Sequence, residues 1–311
     1  MQYVYDMRLT IKLSSVILGL LIMLNSGCVP KNKSNDENIS ARATVLQNKQ
    51  NTPQSNLLNP EGQTIHDRFS VVDGYVRQKV EENAFAHYLR KLPLKPQGSD
   101  VLYYNGHEKP NHGVYEAVVN LEIGKRDLHQ CADAIMRLRA EYLWEQQAYD
   151  KIHFNFTNGF RVDYSKWMLG NRVVVKGNKS HWTSGGQPSN TYKDFWKYME
   201  LIFSYAGTLS LEKELMPVKM TDLQIGDVFI QGGSPGHAVI VVDVAINQST
   251  GEKLFMLAQS YMPAQEIQIL QNPNDENISP WYRADFGEVL NTPEWTFRVG
   301  DLKRFDNEGI D

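Results

Sequence analysis

Residues 237–245 (HAVIVVDVA) form a nearly continuous apolar run, and this segment constrains the fold more than any other. Such runs are typical of a strand that is buried on both faces of a sheet. Residues 226–230 and 254–258 are similarly apolar and are joined to the central run by short turn-forming segments. Short connections join antiparallel strands, so we predict an antiparallel meander with residues 266–270 as a fourth strand. Asp243 interrupts the run, and a buried carboxylate needs a cationic partner.

Two helices are predicted before these strands. The first begins at Asp127, with Gln130 three residues later in the pattern of a capping box. The second covers residues 191–206, where apolar residues recur at helical spacing. Between the helices we predict an irregular segment at residues 160–169 and a turn-rich loop at residues 176–190. Helices followed by strands favour an α+β fold, with the helices packed on a mainly antiparallel sheet.

The N-terminus has the pattern of an export signal. Arg8 and Lys12 precede a mostly apolar run at residues 13–24, which is shorter than the roughly 20 residues that a membrane-spanning helix needs. The run ends in Asn-Ser-Gly-Cys28, which resembles a lipobox, where the signal is cleaved before a cysteine that carries lipid. We therefore expect a signal peptide at residues 1–27 and lipid on Cys28. A cleavable signal with an incidental cysteine is the alternative.

Composition separates the next two segments. Residues 28–61 are rich in Asn, Gln, Ser and Lys and poor in aromatic residues. Such a segment buries too little apolar surface to fold, so we predict a flexible tether. Residues 62–311 have the length of one large domain or two small ones, and we interpret them as a single globular α+β domain.

The charge pattern argues against a nucleic-acid partner. The formal net charge is −4, and the Lys and Arg residues are scattered rather than clustered. His107 and His112 share a loop that has no clear third ligand, so we expect no metal. The sequence has no Gly-rich loop of the phosphate-binding type, and we expect no cofactor. The expected partner is the membrane, contacted through the N-terminal lipid.

Three residues in these elements suit thiol chemistry. Cys131 lies near the start of the first helix, where the helix dipole and free N–H groups favour a thiolate. A cysteine nucleophile needs a nearby base and a polar group that holds the base. His237 begins the central strand and Gln259 ends the next one, so antiparallel pairing would bring them together. The alternatives are a Cys131 that packs as a small apolar residue, a His237 that binds backbone in a turn, and an ordinary strand-end amide at Gln259.

Residues 225–229 (IGDVF) and 236–242 (GHAVIVV) resemble a strand pair of papain-like cysteine hydrolases, especially the NlpC-type and CHAP amidases of bacterial cell walls. The resemblance implies a papain-like fold with Cys131 as nucleophile, His237 as base and Gln259 as the residue that orients the base. The chain also resembles an uncharacterised family of bacterial, Bacteroidetes-type lipoproteins that is known as a domain of unknown function. That second resemblance implies no established activity.

Two hypotheses about function follow. The first is a lipid-anchored thiol hydrolase or acyl-transferase, a cysteine peptidase or amidase of the cell envelope, on the periplasmic face or the outer-membrane surface. Its expected substrate is a peptidoglycan peptide. The second is a non-catalytic envelope lipoprotein of the same fold, which binds a wall fragment or a protein partner.

Overall fold

The computed structural model describes residues 57–306. The α-helices in this range are α1 (Ile65–Arg68), α2 (Phe85–Arg90), α3 (Cys131–Glu145), α4 (Tyr164–Met168), α5 (Tyr192–Tyr205) and α6 (Thr208–Glu214). The strands are β1 (Tyr75–Arg77), β2 (Tyr115–Val118), β3 (His153–Asn155), β4 (Arg161–Asp163), β5 (Asn171–Lys176), β6 (Lys179–Ser184), β7 (Met216–Pro217), β8 (Val228–Gln231), β9 (His237–Asn247), β10 (Lys253–Gln259), β11 (Gln268–Leu270), β12 (Trp281–Arg283), β13 (Val289–Asn291), β14 (Thr296–Arg298) and β15 (Leu302–Arg304).

The main sheet has nine strands in the order β2–β11–β10–β9–β8–β15–β7, with β1 pairing with β9 and β12 with β10. Each of these pairs is antiparallel. Strands β3–β4, β5–β6 and β13–β14 form separate two-stranded sheets. The protein therefore has mixed α and β structure with a mainly antiparallel sheet, which confirms this part of the sequence prediction.

Strand β9 is the centre of the core. Its residues from His237 to Ala245 are all buried, and helix α3 packs against it. The carboxylate of Asp243 accepts hydrogen bonds from Nε of Arg77 at 2.6 Å and Nε of Arg90 at 2.8 Å. These two guanidinium groups are the cationic partners that the buried charge was expected to need.

The first long helix begins at Cys131 rather than at Asp127. Gln130 is the N-cap residue, and its backbone N–H donates to the carboxylate of Asp133 at 3.1 Å. The Asp127 carboxylate instead accepts from the backbone N–H of Ala264 at 2.7 Å. The predicted cap was wrong because Asp127 binds a neighbouring loop, and the shift makes Cys131 the first helical residue.

Two segments between the helices are more regular than predicted. Strand β4 and helix α4 occupy the segment that was expected to be irregular. Strand β6 lies in the expected loop and pairs with β5 along its whole length. Its sequence, KSHWTS, has no apolar run, so periodicity gave no signal. A two-residue turn that contains Gly177 at a φ of +59° joins the two strands.

None of the helices within residues 57–306 is both long enough and apolar enough to cross a membrane.

Candidate active site

Cys131 lies at the positive end of helix α3. It is the first residue of the helix and is half-buried. The first N–H groups of a helix have no acceptor inside it, and they favour a nearby negative charge. The backbone N–H groups of Ala132 and Ala238 hydrogen-bond to the thiol and lower its pKa. Because Ala238 follows His237 on β9, the thiol lies against the start of the strand that carries the predicted base.

His237 and Gln259 are brought together as predicted. They lie at the start of β9 and the end of β10, and both are about 1% exposed. The distance between Nε2 of His237 and Oε1 of Gln259 is 2.9 Å. An amide oxygen can only accept a hydrogen bond, so Nε2 carries the proton in this arrangement. The other ring nitrogen, Nδ1, is then the basic one.

Cys131 and His237 line the same cleft, which has a volume of about 600 Å³. The cleft runs between the start of α3, the turn before β9 and the loop after β10. Its apolar side chains include Met262, which is 66% exposed, and Leu209, which is 38% exposed. Other lining residues are Asp127, Leu128, Gln130, Asp133, Thr157, Phe203, Thr208, Ser234, Pro235, Tyr261 and Trp295. A ligand in this cleft would therefore lie next to both candidate catalytic residues.

Burial dominates the electrostatics of the pair. It raises the pKa of the Cys131 thiol to about 11, and the nearby Asp133 carboxylate adds to the increase. Burial also lowers the pKa of His237 to about 4, although the hydrogen bond to Gln259 acts in the opposite direction. At neutral pH both groups are therefore uncharged in the free protein. The helix N-terminus was expected to lower the pKa of Cys131, but burial raises that pKa by more.

Two charged residues beyond the predicted three contribute to the site. Nε2 of Gln259 donates to Oε2 of Glu294 at 2.6 Å, and Nζ of Lys109 donates to the same oxygen at 2.6 Å. Nζ of Lys109 also donates to Oε1 of Gln265 at 3.0 Å. The Lys109 side chain is only 4% exposed, so this ion pair forms part of the interior. It continues the hydrogen-bonded chain that begins at His237.

An aromatic wall surrounds the imidazole of His237. Its ring centroid lies 4.7 Å from that of Tyr261, 5.4 Å from that of Trp295 and 6.0 Å from that of Phe297. The indole N–H of Trp295 donates to Oε1 of Gln231 at 2.9 Å, which fixes the indole beside the histidine. These contacts desolvate the imidazole and restrict its rotation.

Glu294 and Trp295 come from the tip of the β13–β14 hairpin. The backbone N–H of Thr292 donates to the carbonyl of Trp295 at 2.8 Å and closes the tip. Each of the two strands has three residues, which is too short for a periodicity signal. The sequence offered one clue, a charged residue beside a tryptophan between two short apolar segments, but no spacing that linked it to His237.

The remaining predictions concern the N-terminal segments and a metal site. The signal peptide at residues 1–27, Cys28 and most of the tether lie outside the described residues. Within residues 57–306, no group of three or more His, Cys, Asp or Glu side chains is arranged to hold a metal. Nδ1 of His112 lies 3.1 Å from a carboxylate oxygen of Asp100 at the protein surface.

A family model described as Domain of unknown function (4846) matches residues 65–304. No curated protein and no solved structure matches the chain. Because the family match covers well over half of the sequence, the chain belongs to the family described as Domain of unknown function (4846).

Proposed function

We propose that the protein is a papain-like thiol hydrolase or acyl-transferase, with Cys131 as nucleophile, His237 as base and Gln259 as the residue that orients the base. The observation that carries the proposal is the 2.9 Å hydrogen bond between His237 and Gln259 beside a cleft that Cys131 also lines. A nucleophile, a base and a group that holds the base are the three parts of this chemistry. Their placement, a helix start against two neighbouring antiparallel strands, supports the papain-like arrangement.

The reaction begins from the neutral thiol and imidazole. His237 takes the thiol proton while the sulfur of Cys131 bonds to the substrate carbonyl carbon, and the carbonyl electrons move to its oxygen. The first N–H groups of α3 stabilise that oxygen. Collapse of the intermediate breaks the carbon–nitrogen bond, His237 returns the proton to the leaving amine, and a thioester remains on Cys131. Water or an acceptor amine then attacks the thioester while His237 takes its proton. The carbon–sulfur bond breaks, His237 returns the proton to the sulfur, and the thiol is restored.

The proposed setting is the cell envelope. Lipid on Cys28 would hold the chain at a membrane, and the tether would give the domain reach up to Leu57, which is buried in the domain. A peptidoglycan peptide is the proposed substrate, because such peptides present amide carbonyls in that compartment. The lipobox-like pattern that ends at Cys28 supports this location.

The test uses the full-length protein in detergent with purified peptidoglycan fragments. New amino and carboxyl termini are identified by liquid chromatography and mass spectrometry. We expect wild-type protein to produce them, and Cys131→Ser and His237→Gln to lose nearly all turnover, since general acid–base catalysis contributes about 10²–10⁴-fold. A covalent adduct on Cys131 that neutral hydroxylamine releases would identify the thioester. Equal turnover by wild type and Cys131→Ser would overturn the proposal.

The raised pKa of Cys131 favours a second candidate function, a non-catalytic binding protein. The exposed Met262 and Leu209 side chains of the cleft would then contact a wall fragment or a protein partner. Calorimetric titration of the same fragments separates the two candidates. Binding that is equal in wild type and Cys131→Ser, lost in Met262→Asp and accompanied by no turnover would favour the binding protein.

A further inference from the structure

Glu294 is joined to His237 through Gln259, whose NH₂ group donates to its carboxylate at 2.6 Å. A glutamine amide can present either its oxygen or its NH₂ group to a neighbour, and the two orientations have nearly the same shape. The orientation of Gln259 therefore decides which ring nitrogen of His237 carries the proton. Something outside the pair must fix it.

We propose that Glu294 is a positioning residue that sets the tautomer of His237 through Gln259. A carboxylate can only accept hydrogen bonds. Oε2 of Glu294, 2.6 Å from Gln259, must face the NH₂ group of that amide. The amide oxygen is thereby turned to His237, and its Nε2 must carry the proton.

Lys109 holds the Glu294 carboxylate in place. Its Nζ lies 2.6 Å from the same Glu294 oxygen, and the ion pair is largely buried, with side chains that are 4% and 19% exposed. An ammonium group can only donate, so it keeps Glu294 in the accepting role. Each hydrogen bond in the chain from Lys109 through Glu294 to His237 therefore has a fixed donor and a fixed acceptor. Nδ1 of His237 is therefore the basic ring nitrogen. The role of this nitrogen in catalysis rests on the proposed function.

Removing the Glu294 carboxylate should reverse the orientation of the Gln259 amide. In Glu294→Leu, Lys109 keeps the amide oxygen of Gln265 at 3.0 Å but loses its carboxylate acceptor. An ammonium group has three N–H donors, and Gln259, which contacted the same carboxylate oxygen, offers the replacement acceptor. We expect Gln259 to turn its oxygen to Lys109 and its NH₂ group to His237. Nε2 then accepts, and the proton moves to Nδ1. Glu294→Gln is the matched control, because its amide oxygen can take the place of Oε2 and preserve the original order.

The tautomer is read by long-range proton–nitrogen NMR of the full-length protein carrying ¹⁵N-histidine, with His237→Gln identifying the resonances. At pH 7 His237 is neutral because burial lowers its pKa to about 4. We expect proton on Nε2 in wild type and Glu294→Gln, and on Nδ1 in Glu294→Leu. Because Glu294→Leu leaves a buried cation unpaired, the double variant Lys109→Met/Glu294→Leu is measured too, and it should show both tautomers.

Three results would overturn the inference. They are a proton on Nδ1 in wild type, a proton on Nε2 alone in both leucine variants with a wild-type circular dichroism spectrum, and loss of the Nε2 form in Glu294→Gln. Where turnover is measurable, Glu294→Leu should lower kcat about fivefold with little change in KM, the effect of losing one hydrogen bond of about 1 kcal/mol. Absence of turnover in wild type bears on the proposed function alone, because the tautomer is read without substrate.

Discussion

His237 and Gln259 lie in different strands, yet their side chains are joined by a 2.9 Å hydrogen bond in the protein interior. Antiparallel pairing places the start of β9 beside the end of β10, so the fold brings the two residues together at one edge of the sheet. The amide fixes the imidazole in the cleft that Cys131 also lines. The candidate site is thus held by regular structure rather than by a loop.

Replacing Gln259 with leucine should remove this restraint. The imidazole loses its acceptor, and a hydrogen bond contributes about 1 kcal/mol, so we expect kcat to fall about fivefold while KM changes little. Steady-state kinetics on the peptidoglycan fragments measure both constants. Gln187→Leu, at an exposed position of the loop after β6, is the control. Unchanged kcat in a folded Gln259→Leu protein would mean that the amide does not orient His237.

The thiol of Cys131 should react slowly at neutral pH. Burial and the Asp133 carboxylate raise its pKa to about 11, and only the thiolate reacts with iodoacetamide. We expect the native labelling rate of the full-length chain to rise continuously from pH 7 to pH 10. Asp133→Asn should shift this profile to lower pH, because the variant loses the charge but keeps an oxygen for the Gln130 N–H. A native profile that levels off below the ordinary thiol pKa of about 8.5 would contradict this account.

The sequence predicted the sheet better than its surroundings. The long apolar run that begins at His237 is typical of a buried strand. The turn-forming residues on both sides of it indicated that the neighbouring strands are antiparallel to it. By contrast, β6 is polar and β13 and β14 are short, so no periodicity marked them. These elements depend on pairing with a partner strand, which is a property of the whole fold.

The residues of the candidate site also differ in whether the sequence could reveal them. Cys131, His237 and Gln259 could be found because each lies at the end of an element that the sequence reveals. Glu294 and Lys109 could not, since a hairpin tip and a distant loop reach Gln259 only after folding. The raised pKa of Cys131 was also missed, because sequence shows the helix start but not how deeply a thiol is buried.

Asp243 should be important for stability. Its carboxylate is fully buried between Arg77 and Arg90, and removing one partner of a buried ion pair costs about 3–5 kcal/mol. We expect Asp243→Asn to lower the free energy of unfolding in urea by about that amount. The control is Asp275→Asn, whose carboxylate lies 3.9 Å from Arg283 at the surface and should contribute less than about 1 kcal/mol. Equal losses in the two variants would refute the distinction.

Glu214 should make stability depend on pH. Burial raises its pKa from 4.5 to about 7, so between these values the unfolded chain releases a proton that the folded chain keeps. Stability therefore falls as pH rises through this window, by about 1–3 kcal/mol for this carboxyl. Glu214→Gln keeps an oxygen for the backbone N–H of Asn155 and removes the titration. We expect its stability relative to wild type to increase from pH 4.5 to pH 8 in urea unfolding, whereas the exposed Glu288→Gln gives a constant difference.

The proposed lipid on Cys28 has a direct test. One or two buried acyl chains hold a protein to a bilayer by apolar burial, so we expect wild-type protein expressed with a fatty-acid label to carry the label and to sediment with membranes. Cys28→Ser should lose the label and leave the membrane fraction, while Cys131→Ser should retain both. Lipidation would also remove the only other cysteine in the chain as a disulfide partner, leaving Cys131 as the free thiol that the proposed reaction needs. Unlabelled wild-type protein that is cleaved and recovered in solution would instead support an ordinary cleavable signal, and Cys131 would then have a competing disulfide partner wherever Cys28 is retained.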